Sequence, residues 1–205
     1  EEPYLGSMFE KISYDQIYDE HIFMFSASSV QKICLLFDME LIDILKQETH
    51  GGSLRYVCAR KNVYNIKTNV NYFINKEKKN NLDNIHSCFE FKKNCENSKK
   101  NLKEKLLKLK EDNKKICGYA ATSKSTTILN YCNIGTEIID FICDTTPEKI
   151  GKFSPGMHIP IKPINYFHEN YPDIAFLFAW NHKEEIFKKE KEFSQKGKWF
   201  AHVEL

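Results

Sequence analysis

The 205-residue chain is 41% hydrophobic and 28% charged, enough apolar material for one large domain or two small ones and too much for a disordered tail. Its mean hydropathy is -0.52, and no apolar run approaches the ~20 residues of a membrane span, which excludes a transmembrane helix. The net charge is only +2, and all the basic residues are lysines except Arg55 and Arg60. That balance argues against a general nucleic-acid binder, because arginine is the usual reader of bases and phosphates.

The chain opens Glu1-Glu2-Pro3, without an initiator methionine or a signal segment. It is read as an interior or C-terminal piece of something longer, and as cytoplasmic. The cysteines, at 34, 58, 88, 95, 117, 132 and 143, are odd in number and contain no CxxC pair. They predict reduced, mostly buried thiols and no metal site.

Taken in chain order, Ser28–Phe37 carries Val30, Ile33, Cys34 and Phe37 at helical spacing, with Ser28 or Ser29 as the cap. Leu41–Leu45 and Ser53–Ala59 read as strands joined through Thr49-His50-Gly51-Gly52, which has turn chemistry. Two strands and a helix are not a self-sufficient core, so this stretch is expected to complete a larger sheet. Residues 61–115 hold 15 lysines against 7 acids and no glycine or proline. They predict a polar connector near 75–85 and then a long amphipathic helix over 86–112, with Cys88, Phe91, Cys95, Leu102, Leu106 and Leu109 on one face. A solvated helix face explains the charge better than a phosphate-rich partner does.

From 113 onward the pattern alternates. Lys115–Ala121, Ile138–Cys143, Asp173–Trp180 and Lys198–Val203 read as strands, with helices over 124–132 and His182–Lys196, the latter stopped by Gly197. Near-unbroken apolar strands between helices mean a mostly parallel sheet covered on its faces, an α/β domain. Ligands of such sheets bind at the carboxyl ends of the strands, here Ala121–Ser125, Asp144–Thr146 and Trp180–His182.

Four motifs could carry chemistry. Tyr18-Asp19-Glu20-His21 offers a phenol, carboxylates and an imidazole, the parts of a general base with an oriented tautomer and a donor for a developing oxyanion; an ordinary polar loop uses the same residues. His50-Gly51-Gly52-Ser53 is either a close backbone approach to a ligand or a hairpin turn. Gly118 through Thr127 runs a strand into Thr122, Ser123, Lys124 and Ser125, the form of an anion-cradling turn or of a plain N-cap, and matches neither GxGxxG nor GxxxxGKS. Trp180-Asn181-His182 ends the most apolar strand.

In this order, IYDEHIFMFS, THGGSLRY, GYAATSKSTTILNYCNIG, DTTPEKIGKFSPGMHIPI and LFAWNHKEEI resemble the C-terminal half of the S-adenosylmethionine-dependent sugar C-methyltransferases. These enzymes add a methyl branch to nucleotide-linked 4-keto-deoxysugars. The resemblance implies residues 1–68 as the tail of a methyltransferase domain, 69–112 as a helical connector and 113–205 as a Rossmann-like domain. The zinc cysteines and glycine-rich cofactor loop of the family are absent, so the main S-adenosylmethionine site is expected outside this chain. The resemblance implies His21 as the base, Glu20 beside it and Tyr18 near the sugar oxygen. It makes His50, Ser123, Lys124, Ser125, Asp144 and Asn181 candidate contacts to a nucleotide-sugar, expected to be dTDP-linked. The remainder of the enzyme, in cis or in trans, is the expected partner, with no nucleic acid or membrane. A non-enzymatic nucleotide-sugar binding module, or a basic helical adaptor acting through 76–110, are the competing classes.

Overall fold

The computed structural model describes residues 1–205, which separate into two compact units, Glu1–Cys95 and Glu96–Leu205. No helix is long and apolar enough to cross a membrane.

In the first unit, β1 (Glu2–Pro3), α1 (Leu5–Lys11) and a 3-10 turn at Tyr14–Gln16 precede α2 (Ala27–Leu36), β2 (Met39–Gln47), β3 (Ser53–Arg60) and α3 (Thr68–Lys79). The strands form an antiparallel sheet in the order β1-β3-β2. β2 and β3 pair from Met39↔Arg60 to Gln47↔Ser53, with a bulge between Leu41 and Asp43. The hairpin turns where the glycines predicted it: Gly51 and Gly52 have φ of 85° and 135°, and His50 shares the left-handed region at 55°. A Cβ on Gly52 would also fall 2.6 Å from the Ser7 hydroxyl, so only glycine fits.

The cap of α2 is neither Ser28 nor Ser29 but Ser26. Its hydroxyl accepts from the Ser29 amide at 3.0 Å while Ser29 Oγ accepts from the Ser26 amide at 2.9 Å, a reciprocal capping box. Residues 68–79 form α3, so helix occupies the first part of the expected polar connector. Its Val70 and Ile74 join Tyr4, Ala27, Cys34, Leu41, Ile44 and Leu54 in the core. Buried Glu77 on α3 accepts from the Ala27 and Ser28 amides at 2.6 and 2.9 Å and from the Ser28 hydroxyl, placing a carboxylate at the start of α2. Many apolar side chains still face outward, among them Ile22, Phe23, Leu36, Phe37, Val63 and Tyr64.

The division between units falls inside α4 (Ile85–Glu111), the expected long helix. In the second unit α4 is followed by β4 (Ile116–Tyr119), α5 (Ser123–Cys132), β5 (Ile142–Asp144), β6 (Ile161–Pro163), α6 (Ile164–Glu169), β7 (Ile174–Leu177), a 3-10 turn at Trp180–His182, α7 (Lys183–Lys189), α8 (Lys191–Lys196) and β8 (Lys198–Phe200). The sheet runs β6-β5-β4-β7-β8, and all pairings are parallel. β4 and β7 are buried along their whole lengths, as continuous apolar runs require.

Several boundaries differ from the sequence reading. Ile138 and Ile139 are buried but lie before the strand, which begins at Ile142. β6 and α6 were not expected. The helix after β7 is broken at Glu190, whose φ of -102° and ψ of 43° leave the helical region. Glu190 is buried and accepts from the Tyr119 hydroxyl and bonds His168 Nε2, each at 2.8 Å, a tertiary demand that overrides local helix propensity.

Candidate functional site

The Tyr18–His21 string lies on a loop of the first unit, directly after a buried turn. Ser13, Tyr14, Asp15 and Gln16 are all buried, and Gln16 Nε2 donates to Ser13 Oγ at 2.8 Å. The chain then loops back so that His21 Nδ1 lies 2.9 Å from the Gln16 carbonyl, which can only accept. On the other side of the ring the Tyr18 hydroxyl is 3.3 Å from Nε2. The Tyr18 and His21 rings are 4.3 Å apart, and exposed His50 stands edge-on to His21 with centroids 5.2 Å apart. Three of the residues named from sequence, Tyr18, His21 and His50, thus meet.

Glu20 does not orient the imidazole. It is exposed, and the two ring nitrogens face Gln16 and Tyr18 instead. Its charge acts on the phenol: desolvation raises the Tyr18 pKa first, and the carboxylates of Glu20, Asp15 and Asp19 add to it. Tyr18 is therefore held as a neutral phenol beside the imidazole. A separate cavity of about 530 Å³ in this unit, lined by Phe9, Lys76, Asn80, His86 and Phe91 among others, borders none of these residues.

The second cluster forms at the carboxyl ends of β4, β5 and β7. The chain leaves β4 toward β5 on one side, while β7 pairs on the other side of β4; the crevice at that reversal is where such sheets take ligands. Ala120, just past β4, has φ of 72°, a left-handed conformation costing an alanine about 1–2 kcal/mol. Its neighbours over-determine it. The Ala120 amide donates to the Cys143 carbonyl at 2.8 Å, and the Ala121 amide donates to Asp144 Oδ2 at 2.7 Å. Asp144 also accepts from the Thr146 amide at 2.7 Å. Strain of this kind collects at functional turns.

Lys124 is neither a solvated helix-start residue nor an open cation. It is 6% exposed, donates to Asn181 Oδ1 at 3.0 Å and lies 4.7 Å above the Trp180 ring, linking the start of α5 to the end of β7. Ser125 is buried, and its hydroxyl donates to the Thr122 carbonyl at 2.6 Å, so it is turned inward. Ser123 is exposed on the first turn of α5. The cap itself is Thr122, whose side chain accepts from the Ser125 amide at 3.2 Å. Sequence reasoning named Thr122 within this motif without singling it out as the cap, and it missed Lys149. Lys149 donates to the Ala121 carbonyl at 2.7 Å and stands 3.8 Å from Asp144 with its side chain half-exposed. Its position five residues past β5 was the available signal.

This turn does not fit the S-adenosylmethionine cofactor. Ala120 and Ala121 stand where a glycine-rich cradle needs bare backbone, and Gly118 is a packing position, where a Cβ would fall 2.6 Å from the Phe178 ring.

A five-stranded parallel sheet with a polar crevice at its strand reversal defines a Rossmann-like α/β domain. The profile of the C-methyltransferase C-terminal domain matches residues 48–203. The chain is also 30% identical over 201 residues to the C-methyltransferase NovU of Streptomyces niveus, covering 96% of this chain and 47% of that protein. The chain belongs to the C-methyltransferase family. It spans about half the length of the curated relative it matches.

Proposed function

We propose that the chain is the C-terminal part of a cytoplasmic, S-adenosylmethionine-dependent enzyme that methylates a carbon of a nucleotide-linked 4-keto-deoxysugar. Family membership supports the reaction class, and the Tyr18–His21 pair is the observation that carries the mechanism. The methyl group comes from S-adenosylmethionine bound by the remainder of the enzyme. On this chain, His21 Nε2 takes the proton from the carbon beside the ketone, and the C–H electron pair moves into the enolate. The Tyr18 hydroxyl then donates a hydrogen bond to the enolate oxygen. The 3.3 Å Tyr18–His21 contact is longer than an ordinary hydrogen bond and is the one the substrate displaces.

Taken by itself, the crevice of the second unit is suited to the pyrophosphate of a nucleotide. Half-exposed Lys149 and the first amides of α5 supply the positive potential a pyrophosphate needs, and Lys124 with Asn181 sets the crevice wall. The remainder of the enzyme is assigned to the apolar side chains that the first unit leaves in solvent, such as Phe23, Leu36 and Phe37 at 70%, 78% and 72% exposure.

The test is solvent exchange. With a nucleotide-linked 4-keto sugar in deuterium oxide and no methyl donor, the assembled enzyme should incorporate deuterium next to the ketone, and His21→Ala should not. Unchanged exchange in His21→Ala would remove His21 from the base role.

A further inference from the structure

We propose that the Gln16 main-chain carbonyl, set in place by the buried Ser13–Gln16 side-chain bond, fixes His21 in the Nδ1–H tautomer and makes Nε2 the atom that receives the proton. The inference rests on the reading of His21 as the base and specifies which nitrogen does the work and what holds it there.

Both ring contacts require the same tautomer. A carbonyl oxygen has no hydrogen to give, so the nitrogen 2.9 Å from Gln16 O must carry one. A neutral phenol needs an acceptor for its proton, and the second nitrogen, 3.3 Å from Tyr18 Oη, supplies the lone pair. Free imidazole favours the opposite tautomer in water, so the protein must impose this one. The imposing element is rigid. Ser13, Asp15 and Gln16 are 0%, 0% and 1% exposed. The Gln16 amide side chain is tied to Ser13 Oγ at 2.8 Å, and the Ile17 amide closes the turn on the Tyr14 carbonyl at 3.1 Å. The His21 amide, bonded to the Tyr18 carbonyl at 2.9 Å, brings the imidazole back over the turn. His50, edge-on at 5.2 Å, closes a further side of the ring. Gln16 and Ser13 are positioning residues: they act through His21.

The experiment is long-range proton–nitrogen NMR on the chain labelled with nitrogen-15 histidine, at a pH above the imidazole titration, with His21→Gln used to assign the His21 signal among the seven histidines. The expected spectrum has a protonated Nδ1 and an unprotonated, far-downfield Nε2. Ser13→Ala should move His21 toward a mixture of tautomers, and Ser13→Thr, which keeps the hydroxyl, should restore the single form. Tyr18→Phe removes the other contact and should leave Nδ1 protonated; it serves if Ser13→Ala does not fold. An Nε2–H tautomer in the unmodified chain, or one that changes with Tyr18→Phe and not with Ser13→Ala, would overturn the proposal. Deuterium exchange that survives His21→Ala would instead sink the base assignment while the tautomer result stood, so the two failures are separable.

Discussion

Lys124 Nζ donates to Asn181 Oδ1 at 3.0 Å across 57 residues of sequence, tying the helix after β4 to the turn after β7 at the strand reversal. Because Lys124 is also buried over Trp180, its removal acts first on the crevice itself. Lys124→Ala should destabilise the second unit by about 1.5–3 kcal/mol, the worth of a hydrogen bond to a charged group. It should weaken nucleotide-sugar binding as a consequence. Lys149→Ala, at a half-exposed side chain, should weaken binding with little change in stability. Denaturant unfolding paired with a calorimetric titration of each variant checks this. Equal affinity in Lys149→Ala and the unmodified enzyme would take the pyrophosphate away from this turn.

The first-unit site makes a graded prediction. His21→Ala should lower turnover by about 10²–10⁴-fold, the range for loss of a general base. Tyr18→Phe should also slow turnover, through loss of the donor to the enolate oxygen. Glu20→Gln should stay close to the parent enzyme, because the Gln16 carbonyl orients the imidazole. Steady-state kinetics of the three variants in the assembled enzyme decide it. A Glu20→Gln defect as deep as that of His21→Ala would restore the carboxylate to the orienting role.

What the sequence revealed and what it hid follow from physics. The buried strands β4 and β7 were legible because parallel strands covered on both faces are apolar without interruption. The hairpin was legible because His50-Gly51-Gly52 needs positive φ. In contrast, β6 is three residues long and ends at Pro163, so neither alternation nor a continuous apolar run could mark it. α3 was hidden because Val70 and Ile74 are sparse in a run of asparagine and lysine, and the residue that anchors it is the charged Glu77. The break at Glu190 depends on Tyr119, 71 residues away. In the candidate site, residue type alone left Tyr18 and His21 readable as a polar loop, and it was the family resemblance that singled them out. The Gln16 carbonyl could not be singled out, because every residue carries one.

Glu77 yields the third prediction. Its carboxylate accepts the Ala27 and Ser28 amides and the Ser28 hydroxyl at the first turn of α2. Glu77→Gln replaces one acceptor oxygen with a donor facing N–H groups. It should cost about 1.5–3 kcal/mol and increase amide exchange at the start of α2. Hydrogen exchange followed by peptide mass spectrometry measures it. Protection at Ala27–Val30 equal to that of the parent chain would show the cap to be dispensable.

The two thiols Cys34 and Cys58 lie with sulfurs 3.2 Å apart, yet they should react differently. Burial, reinforced by the contact with Cys58, pushes the Cys34 thiol up to about 12. Since the thiolate is the nucleophile, Cys34 should resist alkylation at mildly alkaline pH while exposed Cys58 is modified. Peptide mapping after brief iodoacetamide treatment reads both sites. Equal labelling would contradict the burial of Cys34.

The tyrosines set the alkaline limit of stability. Burial, followed by the bond to Glu190, raises Tyr119 above the usual phenol range, and burial with the Glu77 carboxylate nearby raises Tyr4 and Tyr56. All three are neutral when folded at ordinary pH. In the unfolded chain they ionise near pH ~10. Their contribution is therefore fully present below that value. It is lost as pH rises further, because the unfolded state releases protons the folded state retains. Unfolding free energy should show no tyrosine-linked fall up to about pH 10 and should then decline. Tyr119→Phe should be less stable at neutral pH, since the buried Glu190 loses a donor, and should decline less steeply above pH ~10. Phenolate absorbance followed through the titration gives the complementary reading: buried tyrosines should ionise only as the chain unfolds. Ionisation of all ten tyrosines near the ordinary value in the folded chain would refute this account.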